Sequence, residues 1–343
     1  SFCLQTRFSA NIPDMIFQRH ACKYLKYELY YEHFDKYTLS SVYRLPHIII
    51  LYAGVLCLGH SASPDSQLNK ILQADNKAMT QITRWIHEDL DRIRNNETER
   101  HTLALRIHNQ LEAIRQQYLR FLKQHPKHTK ARIAYASFLT NVDNRQGATE
   151  QWKQALTEEP KNAAALNNLA THLGTIALQT NNTDGIEQAF KAMSKTVTLA
   201  PRQPLYHHNY ATLLCSFTVQ ATKFYQIRSN QVIRKAINEY DLALKLKPDN
   251  FEFAADRAEA YLDLSPFRYQ ETLKAWSTAL KIASTQDERD WAYLQTAIAH
   301  YKASQWDNVP RALDKMSGEH HKPLLNQLRK AAAAKIKAEN VKP

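Results

Sequence analysis

The chain has 343 residues, 44% of them apolar, and 45 Lys+Arg against 33 Asp+Glu give a formal net charge of +12. That length allows one extended array or two compact domains, and the charge favours acidic proteins, anionic polymers or membrane surfaces over basic partners. Only 6 Gly and 12 Pro, with no period-two runs of Val, Ile and Thr, exclude a sheet-based fold and favour helix throughout.

Residues 1–62 read as a leader. A Tyr-dense stretch at 22–43 is followed by Arg44-Leu45-Pro46-His47 and then by eleven apolar or small residues, Ile48 to Leu58. Eleven are too few for a bilayer, which needs about 20, but suit the apolar region of a signal peptide. Gly59, Ser61, Ala62 and Ser63 then offer cleavage after Ser61 or Ala62. The expectation is a signal-peptide-like segment at about 42–62 and a periplasmic or secreted protein, with no stable membrane span in the mature chain. The alternative is an apolar helix packed on the repeats, which would leave the protein cytoplasmic. About 45 residues ahead of the apolar region exceed a normal signal peptide's start, and the chain opens on Ser1. Translation is therefore expected to begin near Val42 from an alternative start codon, which implies a bacterium. Cys3, Cys22 and Cys57 lie in the leader, so Cys215 alone remains and forms no internal disulfide. Among Leu213, Leu214 and Phe217 it reads as a small buried apolar residue.

Residues 63–128 form an N-terminal helical cap or degenerate repeat. Ile71, Ile82, Trp85, Ile86, Leu90 and Ile93 mark one amphipathic helix. Leu103, Leu105, Ile107, Leu111, Ile114, Tyr118, Leu119 and Leu122 mark a second, ending at Pro126.

A repeated unit follows over 129–323. Pro126, Pro160, Pro201 and Pro248 stand 34, 41 and 47 residues apart, and Ala-Leu or an equivalent pair precedes each; a period near 34 means stacked helix pairs. The cleanest unit, 129–162, carries Tyr135, Ala136 and Leu139, then Ala148, Trp152, Ala155 and Pro160, with a turn at Asp143-Asn144 and Gly147. The second has Leu169, Ala170, Leu173, Ala189, Met193, Thr196 and Pro201; the third Tyr210, Ala211, Leu214, Ala236, Tyr240, Ala243 and Pro248. The fourth has Ala258, Tyr261, Thr272, Trp276 and Ala279; the fifth Ala297, Tyr301, Trp306, Val309, Leu313 and Met316, with Pro310 near the start of its second helix. The second unit exceeds 34 by seven residues around Gln179–Gly185, read as a polar loop. The third exceeds it by thirteen around Phe217–Asn230, where Phe217, Val219, Phe224, Tyr225 and Ile227 read as extensions of the flanking helices. Residues 324–343 read as a C-terminal capping helix, striped by Leu324, Leu325, Leu328, Ala332 and Ile336, and a frayed tail over 337–343.

The large–small–large residues of each first helix and the Ala, aromatic, Ala and Pro of each second resemble the tetratricopeptide repeat over roughly residues 110–320. Arg132 stands where the family usually has Trp. The resemblance implies an all-α fold, a right-handed α-solenoid of stacked antiparallel helix pairs. It also implies that first helices line a concave groove for a protein or extended peptide. The non-core positions there are Lys130, Ile133, Ser137 and Asn141; Asn167, Thr171 and Thr175; His208, Thr212 and Ser216; Glu252, Glu259 and Asp263; and Leu294, Ile298 and Lys302. Lys130, Asn141, Asn167, Thr171, His208, Thr212, Ser216 and Lys302 are the candidate partner-binding residues, a hydroxyl- and amide-rich track suited to peptide backbone. Some members clamp a peptide carboxylate with Lys and Asn, but Ile133 and Ser137 occupy those positions. The glutamates and Asp263 would repel an anion at one end.

Chemistry is sparse. His207-His208 and His320-His321 are adjacent, so their side chains diverge by about 100° on a helix; His101 and His108 are too far apart for one zinc. No Cys-x-x-Cys, His-Glu-x-x-His, phosphate loop or nucleophile elbow occurs. The reading is a non-enzymatic interaction scaffold or assembly factor of the periplasm or cell envelope, without cofactor or metal. The alternative is a basic helical-repeat protein that binds nucleic acid or another anionic polymer. Against it, Trp152, Tyr240, Trp276 and Tyr301 fall on core positions.

Overall fold

A computed structural model describes residues 63–317 and 322–340, which contain fourteen helices and no strand. The signal-like segment and the start near Val42 lie outside these residues. No helix among them is long and apolar enough to cross a membrane. The chain divides into two compact units, up to Pro160 and from Lys161 onward.

The first unit holds α1 (Pro64–Asn95), α2 (Glu97–Gln124), α3 (Thr129–Asn141) and α4 (Arg145–Glu158). Each begins on a side-chain cap that satisfies otherwise unpaired amides. The Ser63 hydroxyl accepts from the Ser66 amide at 3.2 Å, and Asn96 accepts from Thr98 and Glu99 at 3.0 and 3.2 Å. His128 Nδ1 accepts from Ala131, and Asn144 from Gly147 at 2.9 Å. Ile82, Trp85, Leu103 and Ile107 join α1 to α2, with the Arg106 guanidinium 3.7 Å above the Trp85 ring. Leu105 and Leu119, read as part of the apolar stripe, are instead exposed. The buried side of α2 runs through Leu103, Ile107, Ile114, Tyr118 and Phe121, and Leu105 stands two residues, about 200°, from Leu103 on that helix. Fully buried Tyr118 packs 5.3 Å from Tyr135 and 5.6 Å from Phe138, and its hydroxyl donates to Asp75 at 2.8 Å. Ala136, Ala148 and Ala155 have no exposure, so α3 and α4 meet at small residues while Trp152 fills the space beside them.

The second unit holds α5 (Ala163–Thr180), α6 (Ile186–Leu199), α7 (Pro204–Ser216), α8 (Thr218–Tyr225), α9 (Ser229–Leu246), α10 (Phe251–Tyr261), α11 (Tyr269–Ile282), α12 (Gln286–Lys302), α13 (Asn308–Leu313) and α14 (Lys322–Asn340). Each helix from α5 to α14 packs on the next. Ala170, Ala189, Ala211, Ala236, Ala243, Ala258, Ala279 and Ala297 have no exposure at all, and Trp276, Phe190 and Tyr210 are buried beside them. The small-residue positions thus bring backbones together at every pair, and each buried large side chain contributes about 1.5–3 kcal/mol. Leu325, Leu328 and Ala332 of α14 close the array on Leu294, Ala297, Val309 and Leu313.

Three details differ from expectation. The thirteen extra residues of the third repeat form a separate helix, α8, and not extensions of α7 and α9. Buried Phe217 leaves helical dihedrals (φ −125°, ψ 43°), ending α7 and opening α8, and Gln226 in the left-handed region (φ 54°) ends it. The last repeat's second helix, α13, is six residues long. Cys215, expected to be buried, is half-buried and forms no disulfide among the described residues.

Candidate functional site

The first helices of the second unit lie side by side, α5 against α7, α7 against α10, and α10 against α12. Three of the residues singled out above, Asn167, His208 and Lys302, bridge one repeat to the next. Asn167 on α5 is buried, and its Oδ1 accepts from Asn209 Nδ2 on α7 at 2.9 Å. His208 on α7 is buried, with Nε2 2.9 Å from Asp256 Oδ2 on α10, and its ring stacks on Phe253 at 4.6 Å. Lys302 on α12 donates to the Leu262 carbonyl and stands 5.1 Å from the Phe267 ring. Thr212 shares a 3.0 Å hydrogen bond with the Tyr240 hydroxyl; burial raises the Tyr240 pKa well above the usual phenol. Asn167, His208 and Lys302 hold the seam, while Thr212 ties α7 to α9 within one repeat.

Other positions remain at the surface. Thr171, Thr175 and Ser216 are half-buried, Glu259 is half-buried, and Glu252 and Asp263 are exposed. The Thr171 hydroxyl oxygen and His208 Nδ1 are buried without a hydrogen-bond partner among the described residues. Such atoms cost about 1–3 kcal/mol each and call for an explanation. Leu294 is buried in the core, as is Ile133 in the first unit. There, Lys130 is exposed and pairs with Asp65 at 3.4 Å, Ser137 donates to the Ile133 carbonyl at 3.1 Å, and Asn141 is half-buried at the end of α3.

Two titratable pairs lie along α7. His207 Nε2 sits 2.9 Å from the Pro201 carbonyl and Nδ1 2.7 Å from Glu239 on α9. A carbonyl oxygen only accepts, so Nε2 carries a proton, and the carboxylate favours a second on Nδ1. The Glu239 hydrogen bond accordingly raises the His207 pKa, against the opposing effect of burial. The second pair is His208–Asp256. With Glu252, one turn before Asp256, it offers three ligand atoms within 4.8 Å of one another. His208 Nε2 is already engaged by Asp256, and nothing beyond this proximity points to a cation.

Sequence reasoning missed Asp256 and Glu239. Asp256 was within reach, because it lies one helical turn from Glu252 and shares its face. Glu239 was not, because its partner is 32 residues away and no local pattern marks the pair.

No protein-family model and no curated protein matches the chain. Solved structures do. PilF of Pseudomonas aeruginosa superposes with a TM-score of 0.50 at 14% identity, over 79% of this chain and 98% of that one. YrrB, described as a tetratricopeptide repeat protein with an unusual peptide-binding site, gives 0.46 at 11% identity over 65% and 98%. MamA of Desulfovibrio magneticus RS-1 gives 0.40 at 10% over 61% and 94%. At these identities the likeness is one of fold.

Proposed function

The chain has the tetratricopeptide-type repeat fold, and from that premise we propose that it is a protein-interaction scaffold holding an extended peptide across the first helices of its second unit. The observation that carries this is the adjacency of α5, α7, α10 and α12. Their seam is fixed by Asn167, His208 and Lys302, while the half-buried Thr175 and Ser216 stand beside it. A rigid seam lowers the ordering cost of binding, and hydroxyls both donate to and accept from peptide backbone. Trp152, Tyr240 and Trp276 are buried at pair interfaces and offer no stacking platform, so nothing specific favours nucleic acid. An assembly role in a bacterial envelope extends the same reading and rests on the signal-like segment at 48–62.

The test is selection of a displayed random dodecapeptide library on the full chain. Synthetic versions of the enriched peptides are expected to bind about tenfold more weakly to Thr175→Arg and Ser216→Arg variants, whose added bulk would obstruct the face. Unchanged affinity in both variants, with native circular dichroism, or no enrichment at all, would contradict the proposal.

A further inference from the structure

We propose that the first-helix face holds its peptide by the main chain, through the open amides of Asn168 on α5 and Asn209 on α7, with one peptide residue on each amide and one residue between them. This rests on the first-helix reading above and names the chemistry of its ligand: an extended backbone that needs an N–H at one fixed position.

One contact recurs from repeat to repeat. Pro160, Pro201 and Pro248 step by 41 and then 47 residues. The first step carries Asn167 onto His208 and Asn168 onto Asn209, and the second carries Asn209 onto Asp256. The hydrogen bonds Asn167–Asn209 and His208–Asp256 are therefore the same seam contact in two chemistries. Asn168, Asn209 and Asp256 form one row, a single residue from each of α5, α7 and α10.

The row leaves hydrogen-bonding groups open at α5 and α7. Asn209 Nδ2 donates to Asn167 Oδ1 at 2.9 Å, and Asn167 Nδ2 donates to Asn168 Oδ1 at 3.0 Å, so one buried amide joins two half-buried ones head to tail. Neither outer side chain has another polar contact among the described residues. Asn168 keeps both Nδ2 hydrogens, and Asn209 keeps its Oδ1 and its second Nδ2 hydrogen. In a chain of amides each bond polarises the next, which strengthens the free donor at one end and the free acceptor at the other. Asp256, third in the row, is engaged by His208 at 2.9 Å and carries no amide. The hold is thus confined to α5 and α7.

The spacing suits a peptide backbone. Two bonds of 3.0 and 2.9 Å on either side of one planar amide keep Asn168 Oδ1 and Asn209 Nδ2 within about 8 Å of each other. Residues n and n+2 of an extended peptide lie about 6.8 Å apart and turn their N–H and C=O groups to the same side. Asn209 takes both the N–H and the C=O of one residue, and Asn168 donates to the C=O of the residue two along.

The probe is a synthetic peptide enriched from the same dodecapeptide library on the full chain, together with its single N-methyl derivatives. Methylation at one internal residue is expected to weaken binding about tenfold or more, because it removes the N–H that Asn209 Oδ1 accepts. The residues on either side, whose N–H groups point away, should be far less affected, and Pro should be missing from enriched peptides at the sensitive position. This scan uses the unaltered chain, so it stands even if a variant fails to fold. Asn168→Asp keeps the oxygen to which Asn167 donates and removes both donors, and should weaken binding about tenfold with a native circular dichroism spectrum. Asn238→Asp, at an exposed residue of α9, should leave affinity unchanged. Uniform tolerance of N-methylation, or an equal response to Asn168→Asp and Asn238→Asp, would overturn the proposal. Peptides that respond to Ser216→Arg but to neither N-methylation nor Asn168→Asp would overturn this inference and leave the first-helix reading standing. No enrichment, or no response to Thr175→Arg and Ser216→Arg, would remove that reading and this inference with it.

Discussion

The pair α3–α4 and the pair α7–α9 use the same small-residue positions, yet different forces hold them. In α3–α4, Ala136, Ala148 and Ala155 are fully buried and Trp152 fills the space beside them, with a three-residue turn at Val142–Asn144. In α7–α9, Ala211, Ala236 and Ala243 play that part, but α7 also carries His207 against Glu239 and His208 against Asp256. An inserted helix, α8, stands between the two members of the pair. The regular pair is specified by shape. The irregular one adds buried histidine–carboxylate hydrogen bonds, which are sensitive to the loss of a partner.

The largest expected effect follows from those pairs. Asp256→Ala should lower unfolding free energy by up to about 3 kcal/mol, because it leaves the buried His208 Nε2 without its Asp256 hydrogen bond. The double replacement His208→Leu/Asp256→Leu should recover most of the loss, as read by urea denaturation followed by circular dichroism. A double variant no better than the single would mean that the pair is not what distinguishes this repeat. Next, Ala148→Leu in the regular pair should cost about 1–3 kcal/mol by overpacking. An unaltered stability would show that α3 and α4 are not in close approach at that residue.

A smaller effect separates the units by pH. Burial pushes the Asp75 carboxyl up to about 6, against the lowering effect of the Tyr118 hydrogen bond. The folded first unit keeps this proton while the unfolded chain loses it near 3.8, so stability falls as pH rises from about 4 to 6. Asp75→Asn should restore up to about 2 kcal/mol at pH 7, with its partial exposure allowed for. In the second unit, the raised His207 pKa gives stability that is complete below the usual histidine value of 6.5 and is lost as pH climbs past the folded value. Equilibrium unfolding of each variant across pH 4–8 checks both. An Asp75→Asn protein with the parent's slope between pH 4 and 6 would remove this distinction.

The helices and their small-residue contacts were legible because period and composition act locally. Alanines at the expected positions of all five repeats have no exposure. The insertion was located correctly, but its form was not, because apolar residues at Phe217, Phe224 and Tyr225 suit a continued helix as well as a short new one. Phe217 is buried at the break, close to α5, where a Cβ added at Gly174 would lie 3.8 Å from its ring, and such a contact is not visible in the local pattern. Among the track residues, Asn167 and His208 were read as facing a ligand and instead join neighbouring helices. Whether a polar side chain meets solvent or the next repeat depends on contacts 42 and 48 residues away.

Hydrogen–deuterium exchange on the full chain, with and without a selected peptide, tests the central claim most directly. The account predicts slowed exchange in Ala163–Thr180, Pro204–Ser216 and Phe251–Tyr261, the adjacent first helices of the second unit. Protection confined to the second helices, or no peptide-dependent protection in those three segments, would contradict it.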